Sequence, residues 1–100
     1  MISFAEHNGS YSAAYKNLFD WCSRIRKPFQ KKAMFLLATS PGARGASSVL
    51  EMAVKSAPFF EGEVKGHFSL PSFNNNFDVE QGCIVNQGLD LELKSLLQEL

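Results

Sequence analysis

The chain has no long apolar run, no surplus of either charge and almost no cysteine, and each shortage removes a class of function. No unbroken apolar stretch is longer than Ala33–Ala38, whereas a bilayer-spanning helix needs about 20 such residues. The start, MISFAEHN, lacks a basic leader and reaches Glu6 at once; this predicts a cytoplasmic protein with no membrane partner. Ten Lys and Arg residues balance ten Asp and Glu residues, which leaves no electrostatic footprint for nucleic acid. Cys22 and Cys83 are far apart, form no CxxC and are too few for a disulfide scaffold, so both are expected to be buried apolar thiols. His7 and His67 are isolated, and no metal-ligand spacing is present. A hydrolytic triad from the serines, His7 and Asp20 lacks the supporting GxSxG elbow. What remains is a 100-residue chain, 45% hydrophobic and 20% charged. That composition suits one small globular domain whose partners are small molecules or other proteins.

Along the chain, Ile2–Ala5 is a short apolar stub that can end a strand, and the turn-forming pair Asn8-Gly9 follows it. From Ser12 the spacing becomes helical. Ala14, Leu18, Trp21 and Ile25 recur every three or four residues, with Lys16, Asn17, Asp20 and Arg24 opposite, until Pro28 stops the helix. Ser10 or Ser12 can cap it. The charges from Arg24 to Lys32 are interrupted by Pro28 and Phe29 and suit a solvated turn better than an anion site. Ala33–Ala38 shows no alternation, the mark of a central strand covered on both faces. A loop over Thr39–Gly45 leads to a helix from Ala46 to about Ala57, with Val49, Met52 and Ala53 inward and Pro58 at its end. Glu63–Ser69 alternates, which predicts a strand exposed on one side or at an edge. Leu70 to about Gly88 is expected as a long loop held by Phe73 and Phe77. Leu89, Leu93, Leu96, Leu97 and Leu100 then mark the buried stripe of a last helix.

The order β-α-β-α-β-α predicts an α/β fold with right-handed crossovers and a ligand above the carboxyl ends of the strands. Two loops lie at such ends, EHNGSY and TSPGARG. The second is neither a Walker motif nor GxGxxG. Gly42 and Gly45 can permit close backbone approach, and the helix start behind them can offer free N–H groups. Taken alone, each loop is equally well an ordinary turn.

Together the loops carry a resemblance. Ala5–Tyr11, followed by Tyr15–Trp21, resembles the PEYNGS…LKNAIDW signature of the NADPH-dependent FMN reductase family. Ser40-Pro41-Gly42 with Gly45-Ala46 resembles its second loop, SPGxxGG, and Phe77, Asp78 and Gly82 fit its closing FD…G stretch. Ala5 replaces the family's Pro, His7 its Tyr and Ala46 its second Gly. The first two replacements fall where the flavin edge would pack.

The resemblance implies a flavodoxin-like doubly wound parallel sheet, here as its third, fourth and fifth strands. It further implies that residues 1–100 are a partial domain matching only the carboxy-terminal half, without the amino-terminal phosphate-binding half. The implied cofactors are FMN and NAD(P)H, with Glu6, His7, Asn8, Gly9, Ser10 and Tyr11 along one side of the flavin and Ser40, Pro41, Gly42 and Gly45 along another. No catalytic side chain and no metal is implied, because the flavin carries the chemistry. The implied partners are a small-molecule electron acceptor and either a second copy of the chain or a complementary amino-terminal half. The helix of Lys16, Asn17, Asp20 and Trp21 is the implied oligomer surface. The alternative is a non-catalytic fragment or interaction subunit that keeps the fold and these surfaces.

Overall fold

The unalternating apolar run becomes the middle strand of the sheet. In the computed structural model, which describes residues 1–99, β4 (Ala33–Thr39) lies between β1 (Ile2–Phe4) and β5 (Glu63–Leu70), parallel to both. Phe4 stands opposite Ala38, and Leu37 opposite Phe68. A strand with neighbours on both sides and cover on both faces has no solvated side, so Met34, Phe35, Leu36 and Ala38 are all buried. β5 is an edge, as its alternation predicts: Lys65 and His67 are exposed, while Phe68 and Leu70 are buried.

The connections are helical. They are α1 (Ala13–Ser23), α2 (Ser47–Ser56) with a 3₁₀ turn over Ala57–Phe60, and, after β5, α4 (Gln87–Leu97). Ser12 caps α1, its hydroxyl accepting from the Tyr15 N–H at 3.2 Å. Asn86 does the same for α4 through the Leu89 N–H at 3.1 Å. Pro58 falls in the first turn of the 3₁₀ segment, where its missing N–H costs nothing. The core lies on the face that α2 covers, where Phe4, Leu36, Val49, Leu50 and Ala53 meet.

Several expectations are corrected. In α1 the inward face is Tyr15 and Phe19, not Ala14, Leu18, Trp21 and Ile25. Leu18, Trp21 and Ile25 are 65%, 67% and 78% exposed. Tyr15 meets Phe4 edge-on at 5.1 Å between ring centroids, and Phe19 meets Phe60 at 4.7 Å. Both faces of this segment are apolar, and rings that bury more area and find aromatic partners win the inside. Cys22 and Cys83 are exposed rather than buried; Cys22 rides near the outward face of α1. In α2, Leu50 joins Val49 and Ala53 inside, and Met52 is partly exposed.

The segment after Leu70 is not an irregular loop. It holds a short helix, α3 (Phe73–Asn76), and a hairpin of β6 (Phe77–Asp78) and β7 (Cys83–Ile84). Local contacts build it: the Asp78 carboxylate accepts from the N–H groups of Glu80 and Gln81, and the Phe73 and Phe77 rings stack at 5.0 Å. Elements this short give no periodic signal. In α4, Leu89, Leu93 and Leu96 are half-buried and Leu97 is exposed; Leu100 lies outside the described residues.

Candidate functional site

The first loop is a tight hairpin. β2 (Glu6–His7) pairs antiparallel with β3 (Ser10–Tyr11), and Asn8 (φ 53°) and Gly9 (φ 77°) close it. Two central residues with positive φ are what a two-residue hairpin turn requires, which is why Asn-Gly occupies it. A Cβ at Gly9 would meet nothing within 4 Å. The turn therefore stands free beyond the carboxyl end of β1, with His7, Asn8 and Gly9 exposed and Ser10 half-buried.

The second loop, Ser40–Gly45, leaves the carboxyl end of the adjacent strand β4. Gly42 has room around it, since the nearest atom to an added Cβ would be Ser40 Oγ at 3.8 Å. Gly45 is different. Its φ is +59°, and a Cβ would lie 2.9 Å from the backbone of Pro71. Its carbonyl accepts from Ser69 Oγ at 2.7 Å. Close approach at Gly45 is thus to the end of β5, not to a ligand. The loop is further sewn down by the Ser72 N–H on the Gly42 carbonyl at 2.9 Å and the Phe73 N–H on the Ser40 carbonyl at 3.0 Å.

The helix start behind this loop is not free either. Ala46, at φ 60°, offers no side-chain cap to α2. Instead Glu6, half-buried in the hairpin, accepts from the Val49 N–H through Oε1 at 2.7 Å. The Ser47 and Leu50 N–H groups are taken by the carbonyls of Arg44 and Ala46. A carboxylate thus takes the Val49 N–H at the positive end of the helix, and the Arg44 guanidinium, bonded to Ser48 Oγ, stands at the same end. The sequence shows Glu6 but not Val49 as its partner, because the two residues meet only through the fold.

Tyr11 turns away from the two loops. Its ring lies 5.8 Å from Phe4 and 5.1 Å from Tyr15, and its hydroxyl is 3.3 Å from Ser56 Oγ. Burial, with a smaller contribution from Tyr11, pushes the Tyr15 hydroxyl up to about 12. Beneath lies a cleft of about 460 Å³ between α1 and α2, walled by Tyr11, Tyr15, Phe19, Met34, Met52 and Phe60. Its walls come from distant segments with no common motif, so sequence patterns could not find it.

Hence the structure brings His7, Asn8, Gly9 and Ser10 to one side, and Ser40, Pro41 and Gly42 to the other, at the carboxyl ends of neighbouring parallel strands. Glu6 ties the hairpin to the helix behind the second loop, whereas Tyr11 and Gly45 are taken up in packing. The sequence profile of the NADPH-dependent FMN reductases matches residues 1–75. The chain belongs to this family. No curated protein matches it. These reductases are flavodoxin-like and use FMN and NADPH, so the expected fold class and cofactors stand. The match begins at residue 1 of the chain and does not bear out the expectation of a carboxy-terminal half only. It covers both loops and reaches α3, leaving α4 beyond it.

In this member of the family, the two turns suit one part of FMN. Open space at Gly9 and Gly42, beside the uncharged Asn8, Ser10, Ser40 and Pro41, suits the flat, neutral flavin ring, and the exposed Arg44 follows at the end of the second loop. Beside α2 the Val49 N–H is already taken by the Glu6 carboxylate, so it is not available to the phosphate. Among the described residues no helix is long and apolar enough to cross a membrane.

Proposed function

We propose that the chain is an FMN-dependent NAD(P)H oxidoreductase of the flavin, quinone or azo reductase type, acting on a small-molecule acceptor. The observation that carries this reading is the pair of open turns, Asn8–Gly9 and Ser40–Gly42, at the carboxyl ends of adjacent parallel strands. Open α/β sheets bind their ligands there. FMN, when bound, supplies the redox chemistry, taking hydride from NAD(P)H and passing electrons to the acceptor. The chain's part is to bind and orient. Asn8, Gly9 and Ser10 offer hydrogen-bond donors to the polar edge of the ring, His7 flanks it, and Ser40, Pro41 and Gly42 border the other side. Tyr11 and Gly45 support the turns from behind.

The same reading includes a homo-oligomer. Leu18, Trp21 and Ile25 are exposed large side chains at helical spacing along α1 and its end, and an apolar stripe of this kind calls for a covering partner. That stripe also favours the second reading, an interaction subunit without catalysis.

Titration of FMN into the purified chain, followed by flavin fluorescence, separates the two. Saturable quenching at or below near-millimolar FMN, with the phosphate-free analogue lumiflavin competing, is expected. No quenching of either flavin would sink the oxidoreductase reading and leave the interaction subunit.

A further inference from the structure

Two side-chain hydrogen bonds cross from the hairpin to α2 among the described residues, one at each end of the helix. Tyr11 Oη lies 3.3 Å from Oγ of Ser56, the last residue of α2. Glu6 Oε1 accepts from the Val49 N–H, in the first turn, at 2.7 Å. Glu6 and Tyr11 face each other across the hairpin ladder, so one rung carries both contacts. Of the two, only the Glu6 bond pairs a carboxylate with a helix start that has no other side-chain cap. The second loop is held independently, by Ser69 on the Gly45 carbonyl and by Ser72 on the Gly42 carbonyl. One turn is therefore fixed to β5 and its extension, the other to the helix behind it.

The geometry points to Glu6 as a positioning residue that sets the gap between the Asn8–Gly9 and Ser40–Gly42 turns, acting through Val49 and not by touching the flavin. This inference rests on the flavin-binding reading above. Its chemical content is specific. The role needs an acceptor oxygen at Oε1 more than it needs charge, so glutamine can serve and alanine cannot. A carboxylate in contact with the ring would behave differently, because removing its charge would change the electron affinity of the flavin.

The test compares the full wild-type chain with Glu6→Gln and Glu6→Ala by two routes. In the flavin-free protein, amide hydrogen exchange is followed at Val49 and at Ser10, which pairs with His7 in the hairpin, with Phe35 and Leu36 in β4 reporting that the core is intact. Glu6→Ala is expected to speed exchange at Val49 and Ser10 about tenfold, and Glu6→Gln to keep it within about threefold of wild type. With flavin, Glu6→Ala is expected to bind FMN and lumiflavin about tenfold more weakly. Glu6→Gln should bind both as the wild type does, with an unchanged absorption spectrum and midpoint potential. Equal exchange in all three proteins overturns the proposal, as does a shifted midpoint potential in Glu6→Gln. Should the wild type bind neither flavin, the flavin reading fails on its own, and the exchange comparison still decides whether Glu6 holds the hairpin in place. If Glu6→Ala does not fold, Glu6→Asp, which keeps the charge but shortens the reach to the Val49 N–H, takes its place: exchange at Val49 and Ser10 about tenfold faster, with Glu6→Gln near wild type, supports the role, and exchange equal to wild type in both overturns it.

Discussion

Gly9 and Gly45 share a left-handed backbone for different ends. At Gly9 only the turn geometry asks for glycine, because the space around it is open. At Gly45 the backbone of Pro71 and the hydroxyl of Ser69 also leave no room for a side chain. Gly9→Ala is therefore expected to cost about 1 kcal/mol, the strain of positive φ alone. Gly45→Ala should cost at least ~2 kcal/mol, because overpacking adds to that strain. Urea unfolding of the two variants checks the order. Tyr15 gives a second residue-scale expectation. Its folded hydroxyl ionises at about 12 because it is buried, against 10.0 when free. The folded chain thus holds this proton more tightly than the unfolded one. The stability it contributes is intact below pH 10 and is lost as pH rises toward 12. Denaturant midpoints should fall between about pH 10 and pH 12 in the wild type, and less in Tyr15→Phe.

Each helix is held by a few identifiable groups. The last one, α4, has no fully buried residue; it docks through half-buried Leu89, Leu93 and Leu96, with Leu96 against the bare backbone of Gly66 on β5. An element docked so lightly depends on its cap. Asn86→Ala, which removes the acceptor for the Leu89 N–H, should cost about 1 kcal/mol and increase amide exchange through the first turn of α4 more than in β4. Helix α1 presents the opposite case, with more apolar surface than one face can hide. Its aromatic side goes to Phe4 and Phe60, and its aliphatic side goes outward.

That outward side matters for the whole molecule. Trp21 is the only tryptophan in the chain and is 67% exposed on α1, so it reports on whatever covers the stripe. In dilute protein its emission should be that of a solvated indole, moving to shorter wavelength as concentration rises if copies associate there. Leu18→Glu should abolish that shift and lower the mass seen in sedimentation. It should leave the unfolding midpoint nearly unchanged, because Leu18 makes little of the core. The Asn8–Gly9 and Ser40–Gly42 turns lie at the carboxyl ends of β1 and β4, on other elements than the α1 stripe, and sedimentation and flavin titration read association and flavin binding separately.

The sequence by itself determined the elements that rest on local or periodic signals. The apolar run of β4, the alternation of β5, the Asn8-Gly9 turn, a serine cap before α1 and the α/β order are all written in neighbouring residues, and the family signature lies in two short motifs; that the cap is Ser12 and not Ser10 came from the structure. What the sequence could not decide were choices between competing surfaces and pairings across distance. Which side of α1 faces inward depended on aromatic partners in β1 and the 3₁₀ turn. The short α3 and the β6–β7 hairpin arise from contacts too local to leave a period. Glu6, Tyr11 and Gly45 meet Val49, Ser56 and Pro71, residues brought beside them only by folding. A motif names the residues near a site; only packing decides which of them remain free to meet a ligand and which are spent in holding the others still.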